Sequence, residues 1–148
     1  AFSIDNGYSV AWGADVSERG FTRNGIGVLP ETKKENLVGT DQAKWVGAAN
    51  VTGKYTINGP VKEQKVTQES RQLGFDNYQT TDDHGMLIYG IAKDQNGKDY
   101  YIVKNSWGLT NDYEGYLYVT KAFVQYKTTN ILVHKNGVQK QTLKKLGM

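Results

Sequence analysis

Two residues in this chain have the types and spacing of a catalytic pair: His84 and Asn105, 21 positions apart. A neutral imidazole donates from one ring nitrogen and accepts at the other, and a side-chain amide oxygen can take the donated hydrogen. That bond fixes the ring's tautomer and leaves its second nitrogen free to take a proton from a nucleophile. Trp107 follows two residues after Asn105 and would set an apolar indole beside the pair, keeping water off the hydrogen bond and strengthening it. Asp82 and Asp83 precede the histidine, and carboxylates there would favour imidazolium. A histidine so supported suits a cysteine nucleophile better than a serine, because a thiolate–imidazolium pair is the resting state of such sites.

The elements that must position the pair are legible around it. His84–Ile91 and Tyr100–Val103 are short apolar runs, separated by Asp94-Gln95-Asn96-Gly97-Lys98. The Asn-Gly pair tolerates the positive φ of a hairpin turn, so the runs predict two strands folded about Asn96-Gly97. Both polar residues then lie at the open end of the hairpin. His84 lies 12 residues before Asn96 and Asn105 lies 8 after Gly97, so a bulge or slanted register must absorb the difference.

Asp83-His84-Gly85, the strand after it, Asn105-Ser106-Trp107-Gly108 and Glu114-Gly115-Tyr116 resemble the histidine and asparagine blocks of papain-like cysteine proteases. With Val10-Ala11-Trp12-Gly13-Ala14-Asp15-Val16 upstream, the chain most resembles the bleomycin hydrolase and aminopeptidase C branch. The likeness covers residues 8–16 and 66–135; residues 17–65 match loosely, as an insertion that branch carries. It implies an α+β fold: the papain-like right-hand domain, a strongly curved antiparallel sheet or barrel with peripheral helices. It also implies peptide substrates, a frequently homo-oligomeric enzyme, and no cofactor.

The 148 residues include no cysteine. The nucleophile the family requires is therefore not in this chain. The expectation is one domain over residues 1–148, the C-terminal half of a peptidase, with its catalytic hairpin over 82–119. An N-terminal chain or domain would bring the cysteine, His84 and Asn105 the base and its orienter, Trp107 and Asp83 their support. The alternatives are a catalytically inactive relative, or a β-rich binding or structural module.

Composition excludes other classes. The net charge of +3 is mild, and no basic patch interleaved with aromatics points to nucleic acid. Apolar runs fall well short of a membrane span. Asp82, Asp83 and His84 are consecutive and cannot easily converge on one metal ion. The lack of cysteine leaves the compartment open, with an extracytoplasmic one preferred to the cytoplasm.

Elsewhere, alternation over 7–16 predicts a core strand with Trp12 buried. Pro30, Pro60 and several glycines break residues 17–60, around a short helix at 40–49 and a glycosylation sequon at 50–52. A helix is expected over 67–78, weakened by Gly74, with Val66, Leu73, Phe75 and Tyr78 sharing its apolar side. A helical turn at 122–126, a strand at 128–134, a turn at Asn136-Gly137 and a helix at 139–146 complete the chain. Tyr100, Tyr101, Tyr113, Tyr116 and Tyr118 predict a half-buried sheet face, and His134 a surface or packing residue.

Overall fold

The computed structural model describes residues 1–18, 20–31, 57 and 59–148. The helix expected at 40–49 and the sequon at 50–52 lie outside the described residues. Six strands form one sheet: β1 (Val10–Ala14), β2 (Ile26–Gly27), β3 (His84–Lys93), β4 (Asp99–Lys104), β5 (Tyr116–Thr120) and β6 (Thr128–Val133). Among the described residues, four helices accompany it: α1 (Phe2–Asp5), α2 (Gln68–Asp76), α3 (Lys121–Lys127) and α4 (Lys140–Lys145), with a 3-10 turn at Lys135–Gly137. The strand order is β2-β5-β4-β3-β1-β6, so the sheet is open, with β2 and β6 at its edges, and does not close into a barrel. Neighbours run antiparallel, except the two-residue β2, which lies parallel to β5.

Period-two patterning decides which face is covered. On β1, Val10, Trp12 and Ala14 point inward; on β3, Met86 and Ile88 do, while Leu87 and Tyr89 stay exposed. The inward set joins Phe21, Val103, Val119 and Phe123 in one apolar core. Trp12 is buried as expected. Its ring meets Phe123 edge-on at 6.4 Å, and its indole N–H donates to Thr128 Oγ1 at 2.7 Å, which removes the cost of a buried unpaired donor.

The β3–β4 hairpin turns through the five residues 94–98, with glycine in the left-handed position. Gly97 has φ 79°, and Asp94 Oδ1 accepts from the backbone N–H groups of Asn96 and Lys98 at 2.8 and 2.9 Å. The bulge required by the unequal arms lies at Tyr89, where pairing steps from Ile88↔Val103 to Gly90↔Ile102.

One helix packs differently from its pattern. Thr67 caps α2 reciprocally with Ser70: Thr67 Oγ1 accepts from Ser70 N at 3.1 Å, and Ser70 Oγ from Thr67 N at 2.9 Å. The helix ends at Asp76 rather than Tyr78, which takes a positive φ of 60°. Leu73, Phe75 and Tyr78, expected on the packed side, are mostly exposed, and the buried residue is Gly74. The reason is distance. A Cβ at Gly74 would lie 2.6 Å from the Tyr126 hydroxyl, so α2 approaches α3 through the residue that lacks a side chain. Gly74→Ala is therefore expected to destabilise the fold by about 1–3 kcal/mol, the usual range for overpacking, although alanine is the better helix former. Urea titration checks this, and Tyr126→Phe, which removes the nearest atom, should recover part of the loss.

Candidate active site

His84 is the first residue of β3, and Asn105 follows the last residue of β4. The hairpin brings His84 Nε2 to 2.7 Å from Asn105 Oδ1. Donor and acceptor are settled by a third group. The same Oδ1 accepts from the Ser106 backbone N–H at 2.8 Å, and an N–H can only donate. The atom between them is thus the amide oxygen and the imidazole carries a proton on Nε2, which in the neutral ring leaves the lone pair on Nδ1. Asn105 is buried, 4% exposed, so this bond forms largely out of water.

Trp107 leans over the imidazole with ring centroids 4.5 Å apart and planes 36° from parallel. Its other side meets the buried Phe21 edge-on at 6.1 Å. The indole remains 43% exposed, so it shields the imidazole from a position at the protein surface rather than from within the core. On the Asn105 side of the pair an open cleft of about 460 Å³ is lined by Asn105, Gly85, Leu87, Lys104, Ser106 and Asn130, among others.

The loop that carries Trp107 is held by a residue the sequence reading passed over. Asn111 Oδ1 accepts from Tyr113 N and Gly115 N, each at 3.0 Å, and its Nδ2 donates to the Tyr116 carbonyl at 2.8 Å. Gly115 in turn accepts from Asn105 N at 3.0 Å, which links the loop to the pair. Gly115 has φ 82°, and a Cβ there would fall 2.2 Å from the Gly108 carbonyl oxygen. Only glycine fits both demands. An Asn-Asp pair between two glycines is a turn signal, and that signal was available.

The two aspartates before the histidine hydrogen-bond to neighbouring segments rather than to the ring. Asp83 accepts from Val16 N at 2.9 Å and Ser17 Oγ at 2.5 Å; Asp82 accepts from Thr129 Oγ1 at 2.7 Å and Asn130 Nδ2 at 3.2 Å. These bonds tie the entrance of β3 to the exit of β1 and to β6. Asp83 thereby supports the site mechanically, by holding the backbone just before the histidine. Successive residues of an extended segment point in different directions, so adjacency in sequence did not place these carboxylates on the imidazole.

Of the five tyrosines expected on one face, Tyr100, Tyr116 and Tyr118 are half-buried on the same side of the sheet, Tyr101 lies on the opposite side against the core, and Tyr113, outside the strands, is exposed and meets Tyr118 edge-on at 5.0 Å. His134 stacks on Tyr8 at 5.2 Å and accepts from Asn136 N through Nδ1 at 3.2 Å, a packing role at the other end of β1 from His84.

Against known families, residues 53–136 match the model of the papain family cysteine proteases. The chain belongs to that family. Among individual papain-family proteins, cathepsin L of Sarcophaga peregrina is 51% identical over 35 residues, covering 24% of this chain and 10% of its own length. Cysteine proteinase 3 of Dictyostelium discoideum is 51% identical over 39 residues, covering 26% and 11%. A crystal structure of pepw from Lactobacillus rhamnosis HN001 superposes over 93% of this chain and 26% of its own, with TM-score 0.54 and 21% identity. That likeness is one of fold. The chain thus matches about a tenth of these relatives' length in sequence and about a quarter of pepw's in structure. For a papain-family chain, the consequential absence is the thiol, since none of the 148 residues is cysteine.

Proposed function

We propose that this chain is the histidine- and asparagine-bearing half of a cysteine peptidase, a single domain over residues 1–148 whose nucleophilic cysteine comes from an N-terminal chain or domain. The observation that carries the reading is the 2.7 Å bond from His84 Nε2 to Asn105 Oδ1, which leaves Nδ1 as the proton acceptor. In this reading Nδ1 takes the thiol proton, and the thiolate attacks the peptide carbonyl carbon. The imidazolium then returns the proton to the leaving amine, giving a thioester. A water molecule, deprotonated by His84, cleaves the thioester to a carboxylate and the free thiol. Asn105 holds the ring through both steps, and the cleft beside Gly85 and Ser106 is where the peptide lies. The resemblance of the Val10–Val16 block supports reading the enzyme as one of the bleomycin hydrolase and aminopeptidase C branch, an aminopeptidase or small-peptide hydrolase.

The isolated chain should not cleave fluorogenic dipeptides, because His84 has no thiol to deprotonate. Adding the cysteine-bearing half should produce activity that a thiol alkylator abolishes. Cleavage by the isolated chain that survived alkylation would sink the proposal. No cleavage by the assembled halves would favour an inactive relative.

A further inference from the structure

Beneath the end of the sheet that carries His84 lies a buried charged cluster that the reaction itself does not use. Lys127, the last residue of α3, is 2% exposed, and its Nζ lies 3.2 Å from Oδ2 of Asp15, which is 0% exposed. The same ammonium bonds Glu18 Oε1 and the Gln79 carbonyl. Burying charges in this way is an expensive means of gaining stability. An apolar group of similar volume often does as well, and what a buried pair can supply is one unique arrangement.

The bonds around the pair indicate which arrangement that is. Ala14 pairs with His84 on one side and with Thr128 on the other. Asp15 is the next residue after Ala14, and Lys127 the one before Thr128. Asp15 N donates to the Lys127 carbonyl at 3.0 Å, and Asp15 Oδ2 accepts from Thr81 N at 3.2 Å in the linker that delivers His84. Asp15 Oδ1 accepts from Ser17 N at 3.0 Å, and the Ser17 hydroxyl donates to Asp83, the residue before the histidine. The exit of β1, the start of β6 and the linker before β3 all end on this one pair.

We infer that Asp15 and Lys127 are positioning residues for His84: their pair fixes the backbone from which the imidazole reaches Asn105, and neither touches the reacting atoms. The catalytic meaning of that role rests on the proposed function, but the geometry is testable without activity. The chain has only two histidines. His134 follows Val133, which pairs with Val10 at the opposite end of β1, so it serves as an internal control.

The test is nitrogen-15 NMR of the two imidazoles in the full 148-residue chain at a pH where both are neutral, for the wild type, D15N and K127M. Wild type should show His84 protonated at Nε2 with slow exchange of that proton. D15N keeps size and one oxygen but loses the charge. It should speed that exchange about tenfold or mix the tautomers, the signature of a locally opened bond, while His134 stays unchanged. K127M should do the same or more wherever it folds. A folded D15N chain whose His84 tautomer and exchange match wild type would overturn the inference, whatever its loss of global stability. If the His84 signature responds as expected but the assembled protein never cleaves peptides, the peptidase reading fails and the positioning role stands.

Discussion

Replacing His84 by alanine in the assembled enzyme should lower peptide turnover by about four to six orders of magnitude, the range seen when the base of a nucleophile–base unit is removed. Alanine offers no acceptor to the thiol, so both acylation and thioester hydrolysis lose their proton carrier. Asn105→Ala should cost less, about two to three orders, because the base remains and only its orientation is lost. The structural reason is the shared Oδ1. Without it the ring loses the bond that keeps its proton on Nε2, and the Ser106 N–H loses its acceptor. The loss should fall on kcat more than on KM, since both groups serve the proton transfers of the chemical steps. A His84→Ala enzyme within about tenfold of wild type, a difference of about 1.4 kcal/mol in barrier, would remove His84 from the mechanism.

The largest effect on stability should come from Lys127→Met. It leaves Asp15, which is 0% exposed, without its cation, and breaking one side of a buried pair typically costs about 3–5 kcal/mol. Chemical denaturation should show that loss, and adding Asp15→Asn should recover part of it, because the orphaned charge is then gone. The pH dependence has a definite sign. Burial pushes the Asp15 carboxyl above its ordinary value, with Lys127 opposing that rise. A carboxyl raised by folding binds its proton more tightly in the native state. Its contribution is therefore present below the unfolded value and lost as pH rises through the folded one. Removing Lys127 raises it further. The penalty of Lys127→Met should thus be greatest at neutral pH and shrink as the solution is acidified through the carboxylate range.

The pair was legible in the sequence because its two members lie on one hairpin whose turn is written locally. Asn96-Gly97 announces the turn, the apolar runs announce the arms, and only the site of the bulge, Tyr89, needed coordinates. Trp12 was legible as core for the same reason, since alternation over a few residues shows a strand's buried face.

What was not legible depended on partners far along the chain. Asp15 and Lys127 are 112 residues apart, and neither neighbourhood distinguishes a buried lysine from a solvated one. In α2 the pattern of Leu73, Phe75 and Tyr78 suggested an inward face, but the approach of Tyr126 requires the smallest residue there, so Gly74 faces in and the apolar residues face out. The hydrogen bonds of Asp82 and Asp83 run to β6 and to the exit of β1, partners that lie far from them in sequence. Whether the curved sheet closes was equally a matter of long-range pairing, and β2 and β6 remain separate edges.

The central claim is that His84 is the base for a thiol supplied from outside this chain, and alkylation of that thiol tests it most directly. In the assembled protein, the rate of reaction with iodoacetamide should be measured across pH 4–9, with and without His84→Ala. A free thiol has an ordinary pKa of about 8.5, and pairing with imidazolium brings it far lower. The account predicts fast alkylation extending well below pH 7 in the wild type, and a profile in His84→Ala that rises only toward the ordinary thiol value. Superimposable profiles for the two proteins would contradict it.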